Sequence, residues 1–326
     1  MNTIASTKDL VTAVPFLVGY QPTDSIVIVG LKDEDSIEVT MRFDYPEESN
    51  FEQYTHLAKT IMAQGIKDVI LVTYVPSHIE SPEVMIDLQI TLNHYKIKIV
   101  DSIVVLDGKY RSVLCKEESC CPLEGTPLPD IKESALAVSQ VLAGEPLPFS
   151  NVDALKASLR MYDEIPSIVS YITDATPVDD IEGQRLAAQT FDVMLEAFSE
   201  QGELPDDRDA GLLLVGLQDV IVRDYLLGSI NDDNAQDITN LWRWLLLVAP
   251  PGYKAPVASL SAAVAYEFGR GAEAHHLIDI ALEDEPGYSL ATLLQRVFAA
   301  AWNPDSFKSM RQELHPKVVA TLFENA

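Results

Sequence analysis

The chain has 326 residues, 47% of them apolar and 22% charged, a balance close to the globular average that argues against disorder, and its length suits two domains. Its 23 Lys and Arg face 50 Asp and Glu, a formal charge of −27 that repels phosphate backbones and anionic lipid and so argues against direct binding of nucleic acid or a membrane surface. No run reaches the roughly 18 uninterrupted apolar residues of a membrane span, because Gln218, Asp219, Arg223 and Asp224 break the best candidate, GLLLVGLQDVIVRDYLLGSI.

The N-terminal stretch MNTIASTKDLVTAVPFLVG places Lys8 beside Asp9 and a proline inside its apolar part, a poor match to a secretory signal, so a cytoplasmic location with reduced thiols is expected. SIVIVGL, the turn-forming KDEDS and the alternating EVTMRFDYP then predict a β-hairpin. FEQYTHLAKTIMAQG sets Phe51, Tyr54, Leu57, Ala58, Ile61 and Met62 on one helical stripe that ends at Gly65. KDVILVTYVP is apolar at successive positions, as a strand covered on both faces must be. SPEVMIDLQITLNHYK opens on a serine cap with proline at the first helical position, and IKIVDSIVVLDGKYRSVLC carries an Asp107-Gly108 turn signal.

This order predicts a mixed β-sheet with packed helices, an α/β (α+β) domain over residues 1–148 that ends in a cysteine-bearing loop, 114–125, a further helix within TPLPDIKESALAVSQVLAG and the linker GEPLPFSN. Residues 149–326 read as an all-α helical domain, with stripes in VDALKASLRMYDEI, IEGQRLAAQTFDVMLEAFSEQG, the run 211–230, AQDITNLWRWLLLVA and three further segments. In AHHLIDIALEDEP, residues Ala274, Ile278, Ala281, Leu282 and Pro286 fall at the offsets of a tetratricopeptide second helix, with Gly269 where the inter-helix glycine stands. The preceding helix lacks that repeat's aromatic and Leu-Gly pair. The expectation is therefore repeat-like helical hairpins, and one repeat does not make a peptide groove.

DLVTAVPFLVGYQPTDSIVIVGL, RFDYP and YRSVLCKEESCCPLEGTPL resemble, in order and spacing, the actinobacterial and actinophage domain-of-unknown-function 4192 family. The resemblance extends through Asp207-Arg208, Arg223-Asp224, Trp242 and APPGYKAP. Gln21 stands where the family commonly has a histidine, and Tyr110 where it commonly has a tryptophan. The resemblance implies no activity, substrate or catalytic residue.

All three cysteines, Cys115, Cys120 and Cys121, lie in LCKEESCCPLEG. As metal ligands they make three of the four that a zinc site needs, with His56, His78 or His94 as remote candidates, and zinc is the one cofactor they suggest. A Cys115–Cys120 disulfide is the second reading. The third, which the sequence favours, is a turn that packs its sulfurs as small apolar groups, since adjacent side chains diverge and Glu117, Glu118 and Glu124 work against reactive thiolates.

Arg42 and Asp44 project to one face of a strand and, with Asp24, suggest a polar cluster at a sheet edge, either an anion clamp or an ion pair that pins the hairpin. His275-His276 point about 100° apart on a helix and read as a solvent-facing pair, and Trp242 and Trp244 read as helix core. No phosphate loop, dinucleotide fingerprint or common hydrolase motif is present. The leading expectation is an acidic module that binds a protein partner. The alternatives are an enzyme with Thr73, Tyr74, Asp24 and Asp44 at strand ends, and an acidic mimic of nucleic acid.

Overall fold

A computed structural model describes residues 6–32, 36–79, 83–160, 165–201 and 206–323. The chain divides into two compact units, Met1–Leu155 and Lys156–Ala326.

The first unit opens with helix α1 (Thr7–Val18), which no sequence signal above anticipated. Ser6 caps it by accepting the amide of Asp9, and the helix tolerates Pro15 in its interior at the loss of one backbone bond. Strands β1 (Ser25–Lys32) and β2 (Ser36–Asp44) form the expected antiparallel hairpin. Helix α2 (Phe51–Ala63), β3 (Asp68–Tyr74), α3 (Glu83–His94), β4 (Lys98–Leu106) and β5 (Lys109–Ser112) follow. A two-residue strand β6 (Thr126–Pro127) completes a six-stranded sheet of order β2-β1-β3-β4-β5-β6. It is mixed because α3 carries the chain across to make β3 and β4 parallel, whereas the other neighbours are antiparallel.

Asp107 (φ 48°) and Gly108 (φ 74°) both occupy the left-handed region, which suits the twist of the tight β4–β5 hairpin. Ile26 and Ile28 of β1 and Val69 and Leu71 of β3 share one core with Tyr54, Ala58 and Ile61 of α2 and Val84, Leu88 and Leu92 of α3. Their strand neighbours Val27, Val29 and Val72, which alternate to the opposite face, are also fully buried. The helical stripe of α2 is narrower than expected, for Phe51 and Met62 at its ends are exposed. The serine-proline start of α3 lies outside the described residues.

A 3-10 turn at Ile131–Glu133 and α4 (Ala135–Leu142) follow β6. The proline-rich stretch beyond α4 is stitched to the sheet unit: Phe149 and Tyr20 form a parallel bridge, with the Gln21 amide donating to Phe149 and the Phe149 amide to Gly19. The division between units falls inside α5 (Val152–Ser158).

The second unit is helical throughout its described residues: α6 (Pro166–Asp174), α7 (Ile181–Gln201), α8 (Asp207–Gly216), α9 (Val220–Gly228), α10 (Ala235–Val248), α11 (Lys254–Glu267), α12 (Gly271–Asp284), α13 (Ser289–Ala299) and α14 (Pro304–Phe323). The run 211–230 is two helices rather than one. Asp219 breaks it by turning its carboxylate onto the amides of Ile221 and Val222, a cap that starts α9. Four helices, not three, lie beyond α10. Trp242 is fully buried and stacks on Phe191 at 5.1 Å, whereas Trp244 is only half-buried. Helices α11 and α12 pack on each other across Gly269 (φ 72°), and Ala274, Ile278 and Ala281 are buried there.

Candidate metal centre

The cysteine loop leaves β5 and returns as the edge strand β6, which pairs back on β5 through Tyr110↔Thr126. Its first turn is pinned from below. The Ser112 hydroxyl donates to Asp101 Oδ1 (2.5 Å) and accepts the amides of Leu114 (3.2 Å) and Cys115 (3.0 Å), which fixes where Cys115 emerges. The amides of Cys120 (3.0 Å) and Cys121 (2.8 Å) both donate to the Glu117 carbonyl, a turn that folds the adjacent pair back toward Cys115. Gly125 closes the loop at φ 76°, and a Cβ there would stand 3.1 Å from Lys109 Cβ.

The three Sγ atoms consequently lie within 4.8 Å of one another, with Cys120 and Cys121 at 4.0 Å. This corrects the expectation that adjacent cysteines diverge, because the turn on Glu117 overrides the local geometry. It also corrects the reading of the sulfurs as buried apolar filler, since Cys120 is exposed and Cys115 and Cys121 are half-buried. All three are free thiols, so the Cys115–Cys120 disulfide weighed above is not formed. Among the described residues no histidine or carboxylate joins the group, so His56, His78 and His94 stand apart from it. The buried hydroxyl of Tyr110 is raised above its ordinary range, mainly by burial and further by the charges of Cys121, Cys120 and Asp9.

The second expected cluster is an ion pair. Arg42 Nη1 meets Asp44 Oδ1 at 2.6 Å, and the guanidinium lies 5.9 Å from the centre of the Tyr20 ring. The Arg42 Nε is buried without a hydrogen bond. Burial raises the Tyr20 hydroxyl, and the Arg42 charge opposes that shift. Asp24, at φ 42°, accepts the Tyr45 amide through its carbonyl and leaves its side chain exposed. Thr73 and Tyr74 at the end of β3 are buried, and burial pushes the Tyr74 hydroxyl far above its usual range, with Gln21 opposing.

Sequence reasoning missed a polar cleft in the helical unit, a cavity of about 450 Å³ lined by Lys156, Arg160, Lys254, His276, Asp279 and Glu283. His276 is half-buried and pairs with Asp279 at 3.6 Å, so the histidine pair does not face solvent as a unit; His275 bonds the Gly271 carbonyl at 2.8 Å instead. The residues through which the resemblance extends into the helical unit make internal contacts. Arg223 binds Asp224 (2.6 Å) and Tyr288 (3.3 Å), Asp207 accepts the Ser167 hydroxyl, and the APPGYKAP turn offers the amides of Gly252, Lys254 and Ala255 to the Asp284 carboxylate.

Fold and site together define a two-unit chain: a mixed-sheet α/β unit with three converging thiols on its edge loop, followed by a helical unit. The chain belongs to the family described as Domain of unknown function (DUF4192), whose model matches residues 8–305. No curated protein and no solved structure matches it.

Proposed function

We propose that the protein is an acidic module of the cytoplasm that works by docking a protein partner. The observation that supports this reading most directly is α4. Its residues Val138, Val141 and Leu142 are 57%, 61% and 83% exposed, and only Ala137 of that helix is buried. Spaced by three and four, the three aliphatic side chains form one stripe, the form in which a short helix seats in a groove. Glu133 and Glu145 flank the stripe, and carboxylates outnumber cations 22 to 11 in residues 1–150 and 28 to 12 in residues 151–326. The matching partner surface is an apolar groove rimmed by basic residues, and the same surplus of charge works against nucleic acid as the ligand.

The reading is tested by crosslinking the full chain in cells, identifying the partner residues joined near α4, and repeating with V138D/L142D. Contacts that map to a basic-rimmed groove and disappear in the double variant support it. A crosslink pattern that the double variant leaves unchanged rejects it.

A further inference from the structure

We infer that Cys115, Cys120 and Cys121 form a three-thiolate site for a thiophilic metal ion, with zinc(II) as the occupant and one coordination position left for a ligand from outside the triad. A zinc ion about 2.3 Å from each sulfur of a tetrahedral set separates those sulfurs by about 3.8 Å, close to the 4.0 Å between Cys120 and Cys121. The spread of all three, within 4.8 Å, needs only side-chain adjustment to meet that edge length.

The backbone around the sulfurs is already held. Ser112, itself buried and bonded to Asp101, fixes the amide of Cys115, while the Glu117 carbonyl gathers the amides of the other two. Such outer contacts normally orient metal ligands. The metal would tie the start of the loop to its far side, which the sheet closes only through the two-residue β6.

Charge distinguishes zinc from copper(I), the other ion that soft sulfur ligands select. Three thiolates with a dication carry −1, and with a monocation −2, in a loop that already holds Glu117, Glu118 and Glu124. Cys120 is the exposed member, so the remaining position is reached from the solvent side, by water or by a donor atom from a partner.

The test uses the full reduced chain with zinc, and in a parallel sample with copper(I), measured by metal analysis after competition with a chromophoric chelator, with thiols counted before and after. The expected result is one zinc per chain, three thiols protected when it is bound and three reactive when it is stripped. S112A, which removes no ligand, is expected to bind zinc about ten- to a hundredfold more weakly. The triple variant C115S/C120S/C121S is expected to bind none while keeping its helical circular dichroism. Three thiols equally reactive with and without zinc, zinc uptake undiminished in the triple variant, or stoichiometric uptake of copper(I) alone would each overturn the assignment.

Discussion

Arg311 is 3% exposed and spends its whole guanidinium inside the helical unit. Nε and Nη2 bind the two oxygens of Glu267 at 2.6 and 2.9 Å, and Nη1 donates to the carbonyls of Leu227, Gly228 and Ile230 at the end of α9. R311A therefore leaves a buried carboxylate and several carbonyls without partners, and should lower stability by about 3–5 kcal/mol in denaturant unfolding. Two histidines add a pH dependence. Burial holds His276 and His315 below the usual imidazole range, with Lys156 pushing the same way at the first and Arg311 at the second, against Asp279 and Asp192. Each binds a proton more weakly folded than unfolded, so its contribution is complete above the unfolded value of about 6.5 and is lost as pH falls through the lowered folded value. Unfolding titrations from pH 8 to pH 5 should show stability falling with acid, and H276Q/H315Q should flatten that slope. At this scale the sequence was a partial guide. It showed the Arg42–Asp44 alignment, but not that His276 turns inward, because that depends on where Lys156 and the end of α12 come to lie.

Helices α9 and α14 meet at Gly228, where an added Cβ would run into the His315 ring, 2.6 Å from its Cγ. The ring cannot retreat as a flexible chain end would, so G228A should destabilise the helical unit by about 1–3 kcal/mol while leaving its helical content intact, read by thermal unfolding and circular dichroism. Elements with a strong local signal were legible. The β3 run, the stripe of α2 and the Asp107-Gly108 turn each declared themselves through period or backbone demand. Those that depend on weighing a breaker against a cap were not. Pro15 hid α1, because its penalty is met inside a helix that buries Leu10, Val11, Val14 and Val18. Asp219 looked like one more interruption in an apolar run and is in fact the cap that divides α8 from α9.

Across the whole chain, composition and the order of strand and helix signals suffice for the architecture, a mixed sheet with helices followed by a helical region. The convergence of the thiols is a tertiary property. Three cysteines in seven residues are visible in the sequence, yet their approach to within 4.8 Å depends on the turn at Glu117 and on the Ser112–Asp101 contact between β5 and β4. As proposed above, metal chemistry falls to the edge loop of the sheet unit and docking to the exposed helix that follows it. Because thiols must lose protons to bind a cation, zinc affinity should weaken steadily as pH falls. The most direct test is X-ray absorption at the zinc edge of the loaded full-length protein. Three sulfur neighbours at about 2.3 Å are the predicted result, and a shell of nitrogen and oxygen alone would contradict it.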